Sequence, residues 1–322
     1  MPPVRTAILL LATLTLPGTA PAQDVGPSCD PLVALNLAVK DVGLGLGDTE
    51  RTLGARLNYG DRCLETATGV NATLFPPFQP EGTVNGLALG LPLTGSARLR
   101  GVAAGVGLFF GNAGDLRGRA TGLLLGGIAT ISESPARGVL IGGLGTGVGA
   151  PATGVLLGGG TAVSTARGRG LFLGGVVAGT GGPGVGLLAG GLAAGSTDRL
   201  TGAALSFGVV GTGTRLVGLG VGGLGVGSRE ALTGVGLAGG ALVTRRLTGL
   251  GAAGGYLQIR DGGTLRGAAV AAVTHVRGTQ RGLTIGLVNY ARALHGIQLG
   301  LLNVARNNPV WARILPGLNL NL

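Results

Sequence analysis

The chain has very little of what most enzymes use. Charged residues make up 11% and aromatic residues 3%; there is one Met, one Trp and two His, and Lys40 is the only lysine. So few aromatics leave a core of Leu, Val, Ile and Ala, too thin for a large pocket. His275 and His295 lie twenty residues apart with no Cys nearby, so no zinc-ligand spacing arises. A phosphate-binding P-loop ends in Gly-Lys-Ser/Thr, and Lys40 stands in no such context. The run GLGVGG, Gly218 to Gly223, fits the dinucleotide fingerprint, but chance matches abound at this glycine content. Ser206 lies in LSFG rather than a nucleophile elbow. No catalytic, cofactor-binding or metal residue is expected, and the reading is not of an enzyme.

What the chain has is glycine. Seventy of 322 residues are Gly and 45% are apolar, too apolar for a flexible linker or a disordered tail. The net charge of +11 rests on arginine. That bias fits either a GC-rich genome or attraction to an acidic surface.

The first residues, MPPVRTAILLLATLTLPGTAPAQD, offer Arg5, an apolar run from Ala7 to Leu16 and a small-residue site ending at Ala22. This pattern predicts a signal peptide over 1–22, cleaved after Ala22. An exported chain has no genomic nucleic acid to meet. In an oxidising compartment Cys29 and Cys63 are expected to form one disulfide, with two separate buried thiols as the alternative. Residues 23–82 read as a less regular β segment, with short alternating apolar runs such as TLGARLNYGDR divided by charged turns.

From 83 to 307 the chain repeats. Gly122, Gly138, Gly154, Gly170, Gly186, Gly202, Gly218 and Gly234 fall at an unbroken sixteen-residue step, with less regular units near Gly86, Gly101, Gly249, Gly267, Gly282 and Gly296. A short fixed period marks an array in which each unit buries its face against its neighbours. The first and third residues after each leading Gly are apolar, as in Val139 and Ile141 or Leu171 and Leu173. Period two means a strand, and these pairs read as its inward face. A Gly-Gly pair follows, and apolar residues resume out of phase at Leu144, Leu192 and Leu224. The pair is expected to supply positive φ at a corner or bulge.

The fold class is therefore all-β, a tandem array of 14–16-residue units. A β-solenoid is favoured because it explains the phase shift. An antiparallel meander, closed as an outer-membrane barrel, is the alternative; few aromatics and no polar lumen face count against it. A glycine-zipper transmembrane helix over 138–166 fits poorly, since each Gly costs a helix about 1 kcal/mol. Charges collect at the unit ends. If units stack in register, Arg137, Arg167, Arg169, Arg199, Arg245 and Arg246 form a basic edge that can meet an anionic envelope polymer or a membrane surface. The bland alternative is a solubilising edge.

Near the end, GLTIGLVNYA from Gly282 and GIQLGLLNVA from Gly296 place Asn289 and Asn303 alike, suggesting a stacked asparagine ladder. Residues 308–322 are expected to cap the array through Trp311, Ile314 and Leu315. With the ending ILPGLNLNL, these runs resemble a widespread group of uncharacterised bacterial surface-repeat proteins carrying GLxIGLxNxA, GxQxGLLNxA and Gly-Gly repeats. The resemblance covers most of Gly86 to Leu322. It implies an exported protein of the cell surface or outer membrane, structural or adhesive in role, and brings no catalytic residues. A channel-forming barrel is the rival function.

Overall fold

The structure, a computed structural model, describes residues 34–61, 63–75, 81–111 and 118–321. Within the unit Pro31–Leu322 the chain is a β-solenoid of about 15 turns of about 16 residues, about 79% strand. The meander, the barrel and the glycine-zipper helix are excluded, because successive units pair in parallel. Strand Ala152–Gly158 lies between Ala136–Gly142 and Gly168–Gly174, with every residue opposite its equivalent sixteen away. The short strands Gly145–Val148, Thr161–Ser164 and Val177–Thr180 stack the same way. Each central coil is thus a long strand, a corner, a short strand and a second corner. Residues 34–75 belong to the same stack, which runs in parallel register from Val42–Gly47 through Thr83–Ser96.

The repeat is held in register by its leading glycines. They stand opposite one another from Gly43 onward, each with positive φ: 126° at Gly154, 121° at Gly170, 126° at Gly186. A Cβ on Gly170 would lie 2.0 Å from the carbonyl oxygen of Gly154. Only glycine fits this mid-strand twist. The Gly-Gly pairs do sit at corners, but for a different reason than expected. None of Gly142, Gly143, Gly158 and Gly159 has positive φ; the reason is space, since a Cβ on Gly143 would lie 1.9 Å from the oxygen of Gly127.

The inward row is the residue between the two apolar positions singled out in the sequence. Leu124, Leu140, Leu156, Phe172 and Leu188 are buried, facing Ala162, Ala178 and Ala194 across a thin core. Val139, Ile141, Leu171 and Leu173 point outward and are only half-covered by their neighbours along the sheet. The corner residues Leu144, Leu192 and Leu224 are 70%, 65% and 70% exposed. The second corner is tied by buried hydroxyls: Ser164 Oγ donates to the carbonyl of Ala150 at 2.9 Å, and Ser228 Oγ to that of Thr214 at 2.9 Å. A pair of substitutions separates the inward from the outward leucines. Leu156→Ala is expected to cost about 2–5 kcal/mol through the cavity it leaves, and Leu144→Ala less than about 0.5 kcal/mol. Urea unfolding followed by circular dichroism measures both.

Both ends of the stack are closed by antiparallel strands. Ala34–Val39 pairs with Val42–Gly47 around a two-residue turn in which Lys40 and Asp41 both have positive φ, the geometry that suits tight hairpins. Ile314–Asn321 folds back on Val288–Ala305. Trp311 and Ile314 do not pack into this cap; they are 79% and 60% exposed. Ala312, Asn308 and Asn319 are the buried residues there, with Asn308 Nδ2 donating to Asn319 Oδ1 at 2.8 Å. A bare strand edge needs hydrogen-bond partners, which a folded-back strand supplies and a bulky side chain cannot.

Candidate functional site

In-register stacking turns each sequence offset into a line along the solenoid, and the arginines occupy few offsets. Arg137 and Arg169 share the row just before the leading glycine, on either side of Thr153. Arg167, Arg199 and Arg246 lie two residues further from the glycine, and Arg245 is next to Arg246. All six arginines expected at a basic edge therefore stand on one margin, beside the second corner. The same margin holds Arg98, Arg100, Arg119 and Arg215. Its best-formed part is a shallow groove where Arg199, Arg215, Arg245 and Arg246 approach one another over Val217, Thr233 and Thr248. Glu230 enters it, 3.6 Å from Arg215 Nε, with both side chains more than half exposed. Such a pair is worth little, so the groove keeps a positive field.

The rest of each central coil carries no charge. From the leading glycine through the tenth residue after it, every coil from Gly122 to Gly234 is free of Asp, Glu, Lys and Arg. Past that glycine the outward residues of the long strand are Val, Leu, Ile or Ala, and those of the short strand are mostly Gly, Ala or Val. A long strand apolar on both faces is normally covered on both.

Two buried polar clusters lie within the stack. Arg56, inside the run TLGARLNYGDR expected to form a strand, is 1% exposed and sits two residues after Gly54, the place that Leu124, Leu140, Leu156 and Leu188 fill in their coils. Its guanidinium donates to Asp61, to Asp48 Oδ1 at 3.2 Å, to Asn71 Oδ1 at 3.2 Å and to Thr49 Oγ1 at 3.0 Å. Asp61 also accepts from Asn58, from Asn71 Nδ2 at 3.0 Å and from Thr73 Oγ1 at 2.8 Å. This network fills the core of the first coils. At the other end Asn289 Nδ2 donates to Asn303 Oδ1 at 2.8 Å, and Thr274 Oγ1 donates to Asn289. That is the expected ladder; a separate buried amide pair lies near it, Gln298 Nε2 donating to Gln280 Oε1 at 3.1 Å.

His275, read from the sequence as an exposed or turn histidine, is half-buried on a strand. Its Nδ1 is 2.8 Å from the hydroxyl of Tyr256, and Tyr290 meets its ring edge-on at 4.9 Å. Burial pushes its pKa below the ordinary value, and nearby Arg277 lowers it further, against a smaller opposite pull from Asp261. The unfolded chain therefore binds the proton more readily. This contribution to stability is complete above the usual histidine pKa of about 6.5 and declines as pH falls below it. Urea midpoints measured from pH 8 to 5 are expected to drop through that window, and His275→Phe to flatten the drop.

Cys63 is buried, and its amide donates to Asp48 Oδ1 at 3.2 Å; Cys29 and the cleavage site after Ala22 lie outside the described residues. Gly218 to Gly223 runs along a strand and into a corner, not from a strand into a helix. Among the described residues no three His, Cys, Asp or Glu gather as a metal site, and no helix is long and apolar enough to cross a membrane. No protein family, curated protein or solved structure matches this chain. The arginine margin and the apolar faces beside it are thus the features from which function has to be argued.

Proposed function

We propose that this chain is an exported, non-enzymatic envelope protein with a structural or adhesive role, and that its arginine margin engages anionic groups of the envelope. The observation that carries this is the register: residues scattered over more than a hundred positions of sequence, from Arg137 to Arg246, are brought onto one margin, most of them two coils apart along a row, about 10 Å at two strand spacings. Guanidinium groups in lines suit phosphate, sulfate or carboxylate groups that repeat along a polymer or a surface. A stack of about 15 turns is about 70 Å tall, long enough for many weak contacts to add up. The signal-like N-terminus and the resemblance to bacterial surface-repeat proteins support the location. The channel alternative required a barrel and falls with it.

The test is retention on immobilised dextran sulfate as sodium chloride rises. The chain is expected to bind at low salt and elute steeply, and replacing Arg167, Arg169, Arg199, Arg245 and Arg246 together with Gln is expected to weaken retention by about tenfold or more. Retention indifferent to salt, or unchanged in the variant, overturns the reading.

A further inference from the structure

We infer that the apolar side of the solenoid is immersed in one leaflet of a lipid bilayer, the coils lying edge-on with the arginine margin at the level of anionic headgroups. This deepens the reading above by naming the surface that the margin meets, and it rests on that reading for the role of the arginines alone.

Three observations point the same way. First, the two outward rows that follow the leading glycine contain no polar residue anywhere, from Leu37 and Leu35 in the first strand to Leu320 and Leu318 in the last, which are aligned with them by the end hairpins. A continuous apolar strip two side chains wide and about 15 turns long far exceeds the few hundred Å² that soluble monomers expose. Second, in the central coils the corner farthest from the arginines carries strongly exposed bulky residues: Leu144, Leu192 and Leu224 at 65–70% and Phe207 at 88%. Third, in the central coils the outer face of the short strands, which leads away from that corner, is made mostly of small apolar residues such as Ala193, Gly195, Val209 and Gly211. Polarity therefore changes along the width of each central coil, from a charged corner to an apolar one.

This distribution decides between occupants. A second copy packed face to face would cover the long strands and leave the leucine corner and the short-strand face in water. A leaflet covers all three surfaces and meets the arginines with phosphate. The dimensions agree. The row just before the leading glycine and the corner leucines are seven residues apart, at most about 23 Å at strand rise with the corner shortening the span, and a leaflet with its headgroups is about 20–22 Å thick. The backbone can enter hydrocarbon because its N–H and C=O groups are paired from coil to coil even at the corner, where Leu144 N donates to the oxygen of Ile128 at 2.7 Å and Leu224 N to that of Gly208 at 2.9 Å.

The experiment is flotation of the purified chain with phosphatidylcholine vesicles, with and without phosphatidylglycerol, using a variant in which Trp311→Phe and Leu224→Trp leave one reporter at the corner. The chain is expected to float, more strongly with the anionic lipid. Trp emission should shift to the blue and be quenched by lipids brominated deep in their chains, but not by aqueous iodide. Replacing Leu144, Leu192 and Leu224 together with Glu is expected to lower partitioning at least about tenfold, with circular dichroism and dextran sulfate retention unchanged. If the chain stays at the bottom of the gradient while still binding dextran sulfate, the immersion is wrong and the arginine reading stands. Flotation with the reporter open to iodide also overturns it, because the coil then only rests on headgroups. A lipid-free dimer with a buried reporter would assign the corner to a second copy instead. Flotation equal on neutral and anionic vesicles, with the reporter deep, keeps the immersion and removes the arginines from it.

Discussion

Gly170→Ala is expected to destabilise the solenoid by more than about 3 kcal/mol, whereas Gly211→Ala is expected to leave it unchanged or stabilise it by about 0.5 kcal/mol. The chemical change is the same one methyl group. At Gly170 the methyl would sit 2.0 Å from the backbone oxygen of Gly154, on a backbone with φ of 121°. Both strands belong to a register repeated above and below, so neither can move aside without breaking further hydrogen bonds. At Gly211 no atom lies within 4 Å of the added carbon and φ is not in the left-handed region, so the remaining effect is the reduced freedom of the unfolded chain. Urea unfolding gives both values. In a linear array each coil leans on its neighbours, so amide exchange in the Gly170 variant should accelerate most in the coils on either side. Equal effects of the two substitutions would mean that the glycine ladder is not the source of the register.

Arg56→Leu is the second large effect, and its direction is opposite to what composition suggests. Leucine is the residue that four central coils carry at this place, at Leu124, Leu140, Leu156 and Leu188, and the substitution makes the first coils more apolar. It nevertheless takes from the buried Asp48 and Asp61 the guanidinium that both meet, with an expected loss of about 3–5 kcal/mol. Adding Asp48→Asn and Asp61→Asn to Arg56→Leu removes the stranded charges and is expected to recover most of that loss. The readout is the urea midpoint, together with exchange confined to the coils before about Gly86. A single substitution that costs nothing would show that the Asp48 and Asp61 carboxylates find other compensation. The polar filling also has a structural logic: a core of Arg, Asp and Asn satisfied only in one geometry fixes which strand lies next to which at the end of a stack of near-identical coils.

The period, the strands and the arginine margin were legible because each is a matter of spacing. A step of sixteen residues, apolar positions two apart and arginines at recurring offsets need no knowledge of the interior. The asparagine ladder was legible for the same reason, since Asn289 and Asn303 occupy equivalent places in neighbouring units. What the sequence concealed was direction. Val139 and Ile141 share a face, but Leu140 between them is just as apolar, so period two could not say which face is inside. Contrast between faces is the usual guide, and here it is missing because both faces are apolar. Arg56 was hidden by irregular spacing: Gly43, Gly54 and Gly69 are eleven and fifteen residues apart, so its equivalence to Leu140 and Leu156 appears only once the strands are paired. Trp311 was misread because an aromatic near an open end suggests a lid, whereas the end is closed by backbone pairing of Ile314–Asn321.

Everything rests on parallel, in-register coils, and one distance tests that directly. Spin labels on noncanonical amino acids at Thr153 and Thr233, which leave both cysteines untouched, stand on exposed positions of one row, five coils apart. Pulsed electron resonance on the folded chain should give a narrow distribution near about 24 Å, five strand spacings, broadened by the label arms. An antiparallel arrangement of the same units would place the two labels at opposite ends of their strands and lengthen the distance well past about 30 Å, and that result would contradict the solenoid and the margin and faces derived from it.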